Sequence, residues 1–389
     1  MPPQRRTALL VLAGVVASAA SYLFQMQVMA TQSPALFVRF NHWLFLAGVV
    51  GLPGVLVQSV SNFWQPTNAR RRRALLLASG SAGVAVLLAV LFGGTAGRSE
   101  NALLAVFFLG FLPTSALMGQ AQATGNLPAI FWGTLCPVGA RAAFYQLIRT
   151  QDAAAYRAVA LAVGCTVLGL ALLLSLAKTE SSPPQRPLDR HALLRGAVFA
   201  LVSTVIPYAD FELVRATQSA DSVELFGRIS LLSRMVLLGG TLLTQAVLPE
   251  QLRQFHRGTV ETRWWLRRAP LLIFGLALLA AAALCTLVPL LPLPGFTSWS
   301  SHERLVLALA CINCAALVLV LSEVQAVCTM GELRGIVPAL SVLALTWGGI
   351  YLYKPPTMPQ ALMAAGIAYA LTALSLYLTK PHSLPSTQA

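Results

Sequence analysis

A series of long apolar runs constrains this chain more than any other feature of its sequence. Only 10% of the 389 residues are charged and 57% are hydrophobic, which is too little charge to cover a water-soluble protein of this length. A helix needs about 20 apolar residues to cross a bilayer, and its backbone hydrogen bonds are satisfied internally. The runs predict an all-α polytopic membrane protein with about 12 transmembrane helices, at residues 7–29, 35–64, 74–94, 102–121, 125–148, 153–177, 191–214, 221–248, 270–291, 304–330, 336–353 and 361–378.

Two short segments repeat at an offset of nearly half the chain. Residues 216–219 (ATQS) repeat residues 30–33, and residues 225–228 (LFGR) follow the pattern of residues 36–39 (LFVR). Similar offsets separate two further pairs, Gly51 with Gly240 and Gln120 with Gln325. The repeat predicts two six-helix lobes. Because each lobe has an even number of helices, both share one orientation, related by a pseudo-two-fold axis along the membrane normal.

A segment rich in proline, serine and charge, residues 178–190, separates the two halves. It predicts an N-terminal lobe at residues 1–180 and a C-terminal lobe at residues 181–389. Basic residues gather on one side of the membrane, for example in the tail at 1–6, the run at 70–73 and the loop at 253–268. We therefore expect both termini to be cytoplasmic. The net charge of +14 follows from this bias and from attraction to anionic lipids, without nucleic acid as a partner.

The cysteines and the helix-breaking residues carry weaker signals. All six cysteines fall inside apolar runs, and the C-x-x-C at Cys311 and Cys314 lacks a second ligand pair. We therefore expect no loop disulfide, metal or cofactor. Residues 51–54 (GLPG) predict a flexible point in the second helix, and Pro137 predicts a break in the fifth. We expect Pro249 to end the eighth helix.

Charges inside the predicted helices carry the functional signal, because each is energetically costly there. On this topology three arginines share the outward half of the membrane and would line one cationic cavity between the lobes: Arg39, Arg141 and Arg228. Arg234, deeper in its helix, and His42, three positions after Arg39, are candidates for the same wall. The acidic candidates for coupling to an ion are Asp210, Glu212 and Glu323. These charges indicate a transport pathway, with no catalytic residue assigned.

Several of these side chains have simpler roles open to them. Arg39 and Arg215 can reach the outer headgroups, as long basic side chains do near helix ends. Glu224 can form a capping box with Asp221 or an intrahelical pair with Arg228. Asp210 can pair with a neighbouring arginine, and Glu323 can make a structural hydrogen bond.

Longer patterns around these residues resemble a known family. Residues 210–215 (DFELVR), then 225–228 and Pro249, are similar to the seventh and eighth helices of the polysaccharide-export flippases. These belong to the multidrug/oligosaccharidyl-lipid/polysaccharide exporter superfamily. In the first half, residues 37–41 (FVRFN) lead into 51–53, and residues 122–125 (QATG) precede the helix that carries Arg141. The resemblance covers most of the chain by pattern.

The resemblance implies two lobes that form a V and alternate their access to the two sides. It implies transfer of undecaprenyl-pyrophosphate-linked oligosaccharide to the outer leaflet of the bacterial inner membrane, with arginines such as Arg39, Arg141 and Arg228 binding the pyrophosphate and sugars. A coupling cation or the membrane potential would drive transfer, alongside other membrane proteins of polysaccharide assembly. The chain lacks the two extra C-terminal helices of the peptidoglycan-precursor branch, which disfavours that branch.

Two other classes stay open. A drug or organic-cation antiporter of the same superfamily is disfavoured because arginines outnumber carboxylates in the predicted cavity. A membrane glycan polymerase, ligase or transferase is disfavoured because the outer loops are short. Of the five histidines, only His42 lies in the interior of a predicted helix, since His191 stands at the first position of another.

Overall fold

The computed structural model describes residues 3–63, 99–124, 126–151, 153–176, 190–257, 260–291, 299–330 and 336–379. Within these ranges the chain is helical and contains no β-strand, which confirms the all-α prediction. The predicted span 74–94, the basic run 70–73 and most of the linker 178–190 lie outside the described residues. The α-helices are α1 (Pro3–Thr31), α2 (Pro34–Phe63), α3 (Ser99–Thr124), α4 (Leu127–Ile148), α5 (Ala154–Leu176), α6 (Arg190–Thr217), α7 (Ala220–Arg257), α8 (Val260–Leu287), α9 (Ser301–Met330), α10 (Ile336–Tyr353) and α11 (Met358–Leu378).

The apolar surface of these helices suits a bilayer. Among the described residues, six helical stretches are long and apolar enough to cross it: Ala102–Ala121, Ala154–Leu176, Arg268–Leu290, Ser301–Val327, Ile336–Tyr353 and Met358–Leu378. Several large side chains on these stretches are mostly exposed, including Leu279, Leu345 and Leu352. Water would disfavour so much exposed apolar surface, whereas lipid tails accept it. The protein is a multi-pass membrane protein.

The described helices group into two compact units. The N-terminal unit lies within Met1–Val28 and Arg39–Thr204, and the C-terminal unit within Met29–Val38 and Val205–Ala389. In the N-terminal unit, α5 packs against α3 and α4. In the C-terminal unit, α9 is the central helix and contacts α7, α8 and α11. The lobe boundary near residue 180 falls outside the described residues and stays a prediction.

The helices continue through most of their prolines. The predicted break at Pro137 is wrong, because α4 runs unbroken from Leu127 to Ile148. The predicted end at Pro249 is also wrong, because α7 extends to Arg257. A proline removes one backbone hydrogen bond, and membrane helices tolerate this loss better than soluble ones do. The predicted basic loop at residues 253–268 is also wrong for the described residues. These residues belong to the end of α7, up to Arg257, and to the start of α8, from Val260.

The glycines of the repeat serve close helix packing. A Cβ atom built on Gly54 would lie 2.7 Å from the ring of Phe111 on α3, and one on Gly51 would lie 3.1 Å from it. These glycines sit inside continuous α2, so the predicted flexible point is an approach site for α3. In the C-terminal unit, a Cβ on Gly240 of α7 would lie 2.3 Å from Val318 of α9. Gly51 and Gly240, which the repeat aligns, therefore play the same part in their own units.

Gly240→Ala tests this contact, with Gly239→Ala as the matched control. Around Gly239 nothing lies within 4 Å of the added Cβ. We expect Gly240→Ala to destabilise by about 1–3 kcal/mol, because the stiff β-branched Val318 cannot move away without strain. Gly239→Ala should be neutral or stabilising by up to about 1 kcal/mol, through helix propensity. Thermal unfolding of the purified proteins measures both, and equal melting temperatures would contradict the close approach of α7 to α9.

Candidate functional site

A polar cluster in the C-terminal unit is centred on the carboxylate of Asp210. Pro207 and Asp210 lie on the last turns of α6, and the Asp210 residue is partly buried. The Tyr369 hydroxyl of α11 donates to Oδ1 of Asp210 at 2.6 Å. The Asn313 side chain of α9 donates to Oδ2 at 3.4 Å, a long and therefore weaker bond. Each oxygen of the carboxylate thus has a neutral donor from a different helix.

Asn313 joins α9 to α11 as well as to α6. Its Nδ2 atom also donates to the backbone carbonyl of Leu362 at 2.9 Å. Its Oδ1 atom lies only 2.5 Å from where a Cβ on Gly366 would stand, so only glycine leaves room for the amide in this orientation. Asn313 and Tyr369 are both almost fully buried. The contacts fix Asp210 between α9 and α11.

Arg234 of α7 supplies the positive charge of this cluster. Its residue is 8% exposed, and its guanidinium carbon lies 4.4 Å from the centre of the Tyr208 ring, a cation–π geometry. Tyr208 lies two residues before Asp210 on α6, so this contact brings the guanidinium to the same end of that helix. Its Nη2 atom is buried without a hydrogen-bond partner among the described residues. Arg234 is therefore held against a ring of α6, with one donor still open.

Two other acids predicted near this region make local ion pairs. Glu212 accepts from Arg215 at 2.8 Å, and the Arg215 side chain is 44% exposed. Glu224 pairs with Arg228 one turn further along α7. The alternative of a capping box between Asp221 and Glu224 is not adopted. The helix α7 begins at Ala220, so the residue that precedes it is Ser219, and the Ser219 hydroxyl contacts that of Ser222. Exposed pairs of this kind contribute little to stability.

Glu323 lies apart from the Asp210 cluster. It is 1% exposed on α9, ten residues beyond Asn313, which places it about 15 Å further along the helix axis. Its neighbourhood includes Gln325, whose side-chain amide donates to the backbone carbonyl of Thr244 on α7 at 2.9 Å. Burial keeps Glu323 as a candidate for ion coupling, at a place separate from Asp210.

Arg141 is the most enclosed of the predicted arginines in the N-terminal unit. Its guanidinium carbon lies 5.0 Å from the centre of the Phe24 ring, and that ring meets Tyr145 edge-to-face at 5.7 Å. Arg39 is exposed near the start of α2, as expected for a side chain that reaches the headgroups. His42 is partly buried, with its ring 6.3 Å from that of Phe45.

The predicted residues thus divide between the two units. Arg39, His42 and Arg141 belong to the N-terminal unit, and Arg228, Arg234 and the three acids belong to the C-terminal unit. Arg234 lies over the ring of Tyr208, two residues before Asp210 on α6, whereas Glu212 pairs with Arg215 and Glu323 lies on α9. The shared cavity of Arg39, Arg141 and Arg228 between the lobes stays a prediction. Among the described residues, no group of three or more His, Cys, Asp or Glu could hold a metal ion.

Three polar residues of interest carry no charge and were not predicted as site residues. Asn313 and Tyr369 contact Asp210 from segments more than 100 positions away, and no local pattern marks them.

Asn41 of α2 is 1% exposed, and both atoms of its amide lack a hydrogen-bond partner among the described residues. A buried amide without partners is unfavourable, so its presence requires an explanation. Its signal in the sequence is one asparagine between Phe40 and His42 in an apolar run.

Asn41→Leu tests whether this amide contributes to folding. We expect an unchanged or higher melting temperature, because an unsatisfied buried amide costs about 1–3 kcal/mol. Asn126→Leu is the matched control. Asn126 caps α4 by accepting from the backbone amide of Ala129 at 3.1 Å. Its loss should destabilise by about 1 kcal/mol. A decrease for Asn41→Leu as large as that of the control would mean that the amide of Asn41 is structurally bonded.

Searches by sequence and by structure gave different outcomes. No family model matches the chain, and no curated protein matches it. Solved structures of membrane transporters do match over nearly its whole length. An outward-facing multidrug resistance MATE family transporter of the MOP superfamily is 12% identical, with a TM-score of 0.63, covering 97% of this chain and 94% of its own. A MOP superfamily transporter from Pyrococcus furiosus gives the same identity, TM-score and coverage.

The lipid II flippase MurJ, in an inward closed conformation, matches equally well. It is 13% identical with a TM-score of 0.64, and the match covers 95% of this chain and 87% of MurJ. At such low identity these likenesses establish the fold and not the substrate. The predicted layout of about twelve helices in two lobes matches that of these MATE transporters, which confirms it. The chain shares its fold with these MATE transporters and with MurJ.

Proposed function

We propose that the protein is a flippase that moves undecaprenyl-pyrophosphate-linked oligosaccharide from the inner to the outer leaflet of the bacterial inner membrane. Transfer would occur by alternating access and serve polysaccharide biosynthesis or export, with other polysaccharide-assembly membrane proteins as partners. The fold supports a transport role, since MurJ is a lipid flippase of this fold. The single observation that carries the choice of an anionic substrate is the balance of charge in the described helices.

Arginines lie within these helices beside aromatic rings, whereas two of the nearby carboxylates are already engaged. Arg141 and Arg234 each lie over a ring, and Arg234 has an open donor. Asp210 accepts from two neutral donors and Glu212 pairs with Arg215. A pyrophosphate carries negative charge that is costly to take into a bilayer, and guanidinium groups replace its water with bidentate, charge-assisted bonds. We propose that Arg39, Arg141, Arg228 and Arg234 provide these bonds.

Uncharged polar groups in the same helices suit the sugar part of this substrate. The side-chain amide of Asn41 can donate to and accept from hydroxyl groups. His42, the next residue on α2, is proposed as a second contact to the sugars. This role would explain why an amide without partners among the described residues persists at a buried position of α2.

An organic-cation antiporter is the second candidate. It is favoured by the MATE transporters among the structural matches, one of which is named as a multidrug resistance transporter. Polarity varies within the fold, because the Pyrococcus furiosus transporter is described as having a binding pocket of reverse polarity. Asp210 and Glu212 already accept hydrogen bonds from neighbouring side chains, which leaves a transported cation fewer carboxylate partners. Asp210, Glu212 and Glu323 remain proposals for ion coupling, of which Glu323 is the most buried.

Transfer of a fluorescent lipid-pyrophosphate oligosaccharide across proteoliposome bilayers tests the proposal. We expect Arg141→Ala to slow transfer about 10- to 100-fold, since a hydrogen bond to a charged group contributes about 1.5–3 kcal/mol. Arg215→Ala is the matched control, because Arg215 is half exposed and pairs with a neighbour on its own helix. It should transfer at close to the wild-type rate.

The same proteoliposomes distinguish the alternatives. Wild-type rates in the Arg141→Ala protein would remove this arginine from the substrate path. No transfer by the wild-type protein under any ion gradient or membrane potential would reject the flippase proposal. Efflux of a cationic dye and analysis for new glycan products would then separate the antiporter from a membrane glycan enzyme.

A further inference from the structure

A groove opens on the surface of the C-terminal unit, between the end of α10 and the start of α11. Its volume is about 510 Å³, within the range of about 300–1,000 Å³ that is typical of ligand pockets. Most of its lining is apolar, and the lining residues include Gly349, Ile350, Tyr353, Pro355, Gln360 and Ala364. None of these residues has a part in the proposed transport function.

The floor of the groove is fixed by contacts with α6. Ile350 is buried and packs in one apolar cluster with Leu213 of α6 and Ala361 of α11. Gln218, which follows α6, donates from its side-chain amide to the backbone carbonyl of Pro355 at 2.8 Å. The connection between α10 and α11 is therefore held in place, and the groove is a preformed feature of the unit. A preformed site binds at a lower cost in ordering than a flexible one.

The helix that forms one wall of the groove suits contact with lipid. Only 22% of its apolar stretch, Ile336–Tyr353, is buried. At its end Leu352 is 81% exposed and Tyr353 is 78% exposed. Water does not stably fill an apolar groove, because it finds few polar partners there. In a bilayer, hydrocarbon chains would therefore fill this one.

A positive charge stands at the end of the groove. Lys354 is exposed and lies between Tyr353 and Pro355, which both line the groove. Tyrosines such as Tyr351 and Tyr353 are typical of the level of the lipid headgroups, where basic residues attract anionic lipids. The chain has no acidic residue after Glu332, so neither α10 nor α11 offers Lys354 a partner of opposite charge.

We propose that this groove binds an acyl chain of an anionic phospholipid, whose headgroup lies at Lys354. The Tyr353 hydroxyl and the Gln360 amide are hydrogen-bond donors in the lining and suit the phosphate or the glycerol esters. The C-terminal unit thus carries a phospholipid site of its own. The inference holds for any transported substrate.

Thermal unfolding of the purified full chain in detergent tests the site. The probes are phosphatidylglycerol and phosphatidylcholine with the same acyl chains. We expect phosphatidylglycerol to raise the melting temperature by a few degrees more than phosphatidylcholine does, saturably with concentration.

Two neighbouring glycines provide the matched variants for the groove. A Cβ atom built on Gly349 or on Gly348 has nothing within 4 Å, and of the two only Gly349 lines the groove. Gly349→Leu should therefore fill the groove and lose the response to phosphatidylglycerol, whereas Gly348→Leu should keep it. Ala364→Leu fills the groove from α11 if Gly349→Leu does not fold.

A second pair of variants tests the headgroup. Lys354 has a left-handed backbone with φ of 49°, a conformation that asparagine accepts. Lys354→Asn should reduce the response to phosphatidylglycerol to that given by phosphatidylcholine. Arg304→Asn is the matched control, because Arg304 is an exposed basic residue at the start of α9, and it should keep the response.

Three results would overturn the proposal. One is an equal response to phosphatidylglycerol in Gly349→Leu and Gly348→Leu, since the lipid would then bind elsewhere. Another is a wild-type preference for phosphatidylglycerol in Lys354→Asn. The third is a groove-dependent response to undecaprenyl phosphate without one to phosphatidylglycerol, since the groove would then hold a polyprenyl chain. If neither groove variant folds, the comparison of wild type with Lys354→Asn still decides. These outcomes are independent of the flippase assay, because no transfer is measured.

Discussion

Charge compensation inside a low-dielectric medium is the constraint on which the C-terminal unit depends. An ionised carboxylate in the bilayer is stable only beside donors or an opposite charge. Asp210 receives donors from two other helices, Tyr369 on α11 and Asn313 on α9, and Arg234 of α7 lies over the ring of Tyr208 on the same helix as Asp210. The polar cluster therefore joins α6, α7, α9 and α11. Their remaining contacts are mostly apolar, so these few polar bonds do much to define the positions of the four helices in lipid.

The sequence predicted much of this architecture, because a bilayer leaves few choices to a backbone. Apolar runs located the described spans, and the repeat paired Gly51 with Gly240, which the structure shows to be sites of close helix approach. Ends and continuity were predicted less well, as the helices at Pro137 and Pro249 show. A proline's effect depends on whether neighbouring packing compensates for its lost hydrogen bond, and neighbours in space are absent from a linear pattern.

The candidate site was predictable only in its charged members. Arg234 and Asp210 stand out because charge is rare in apolar runs. Their neutral partners do not stand out, since Asn313 and Tyr369 lie 103 and 159 positions from Asp210. Asn41 looks ordinary in sequence and becomes notable only when its burial and its lack of partners among the described residues are known. Helical spacing predicts local pairs, and Glu224 does pair with Arg228 four positions on, as one of the open alternatives held.

The sign of the transported charge is the central proposal, and the positions of Arg141 and Arg234 over aromatic rings support it. The most direct measurement compares two probes in the same wild-type proteoliposomes, a lipid-linked pyrophosphate and a lipid-soluble organic cation. The account predicts transfer of the pyrophosphate lipid and no protein-dependent movement of the cation. Protein-dependent movement of the cation without transfer of the pyrophosphate lipid would contradict it.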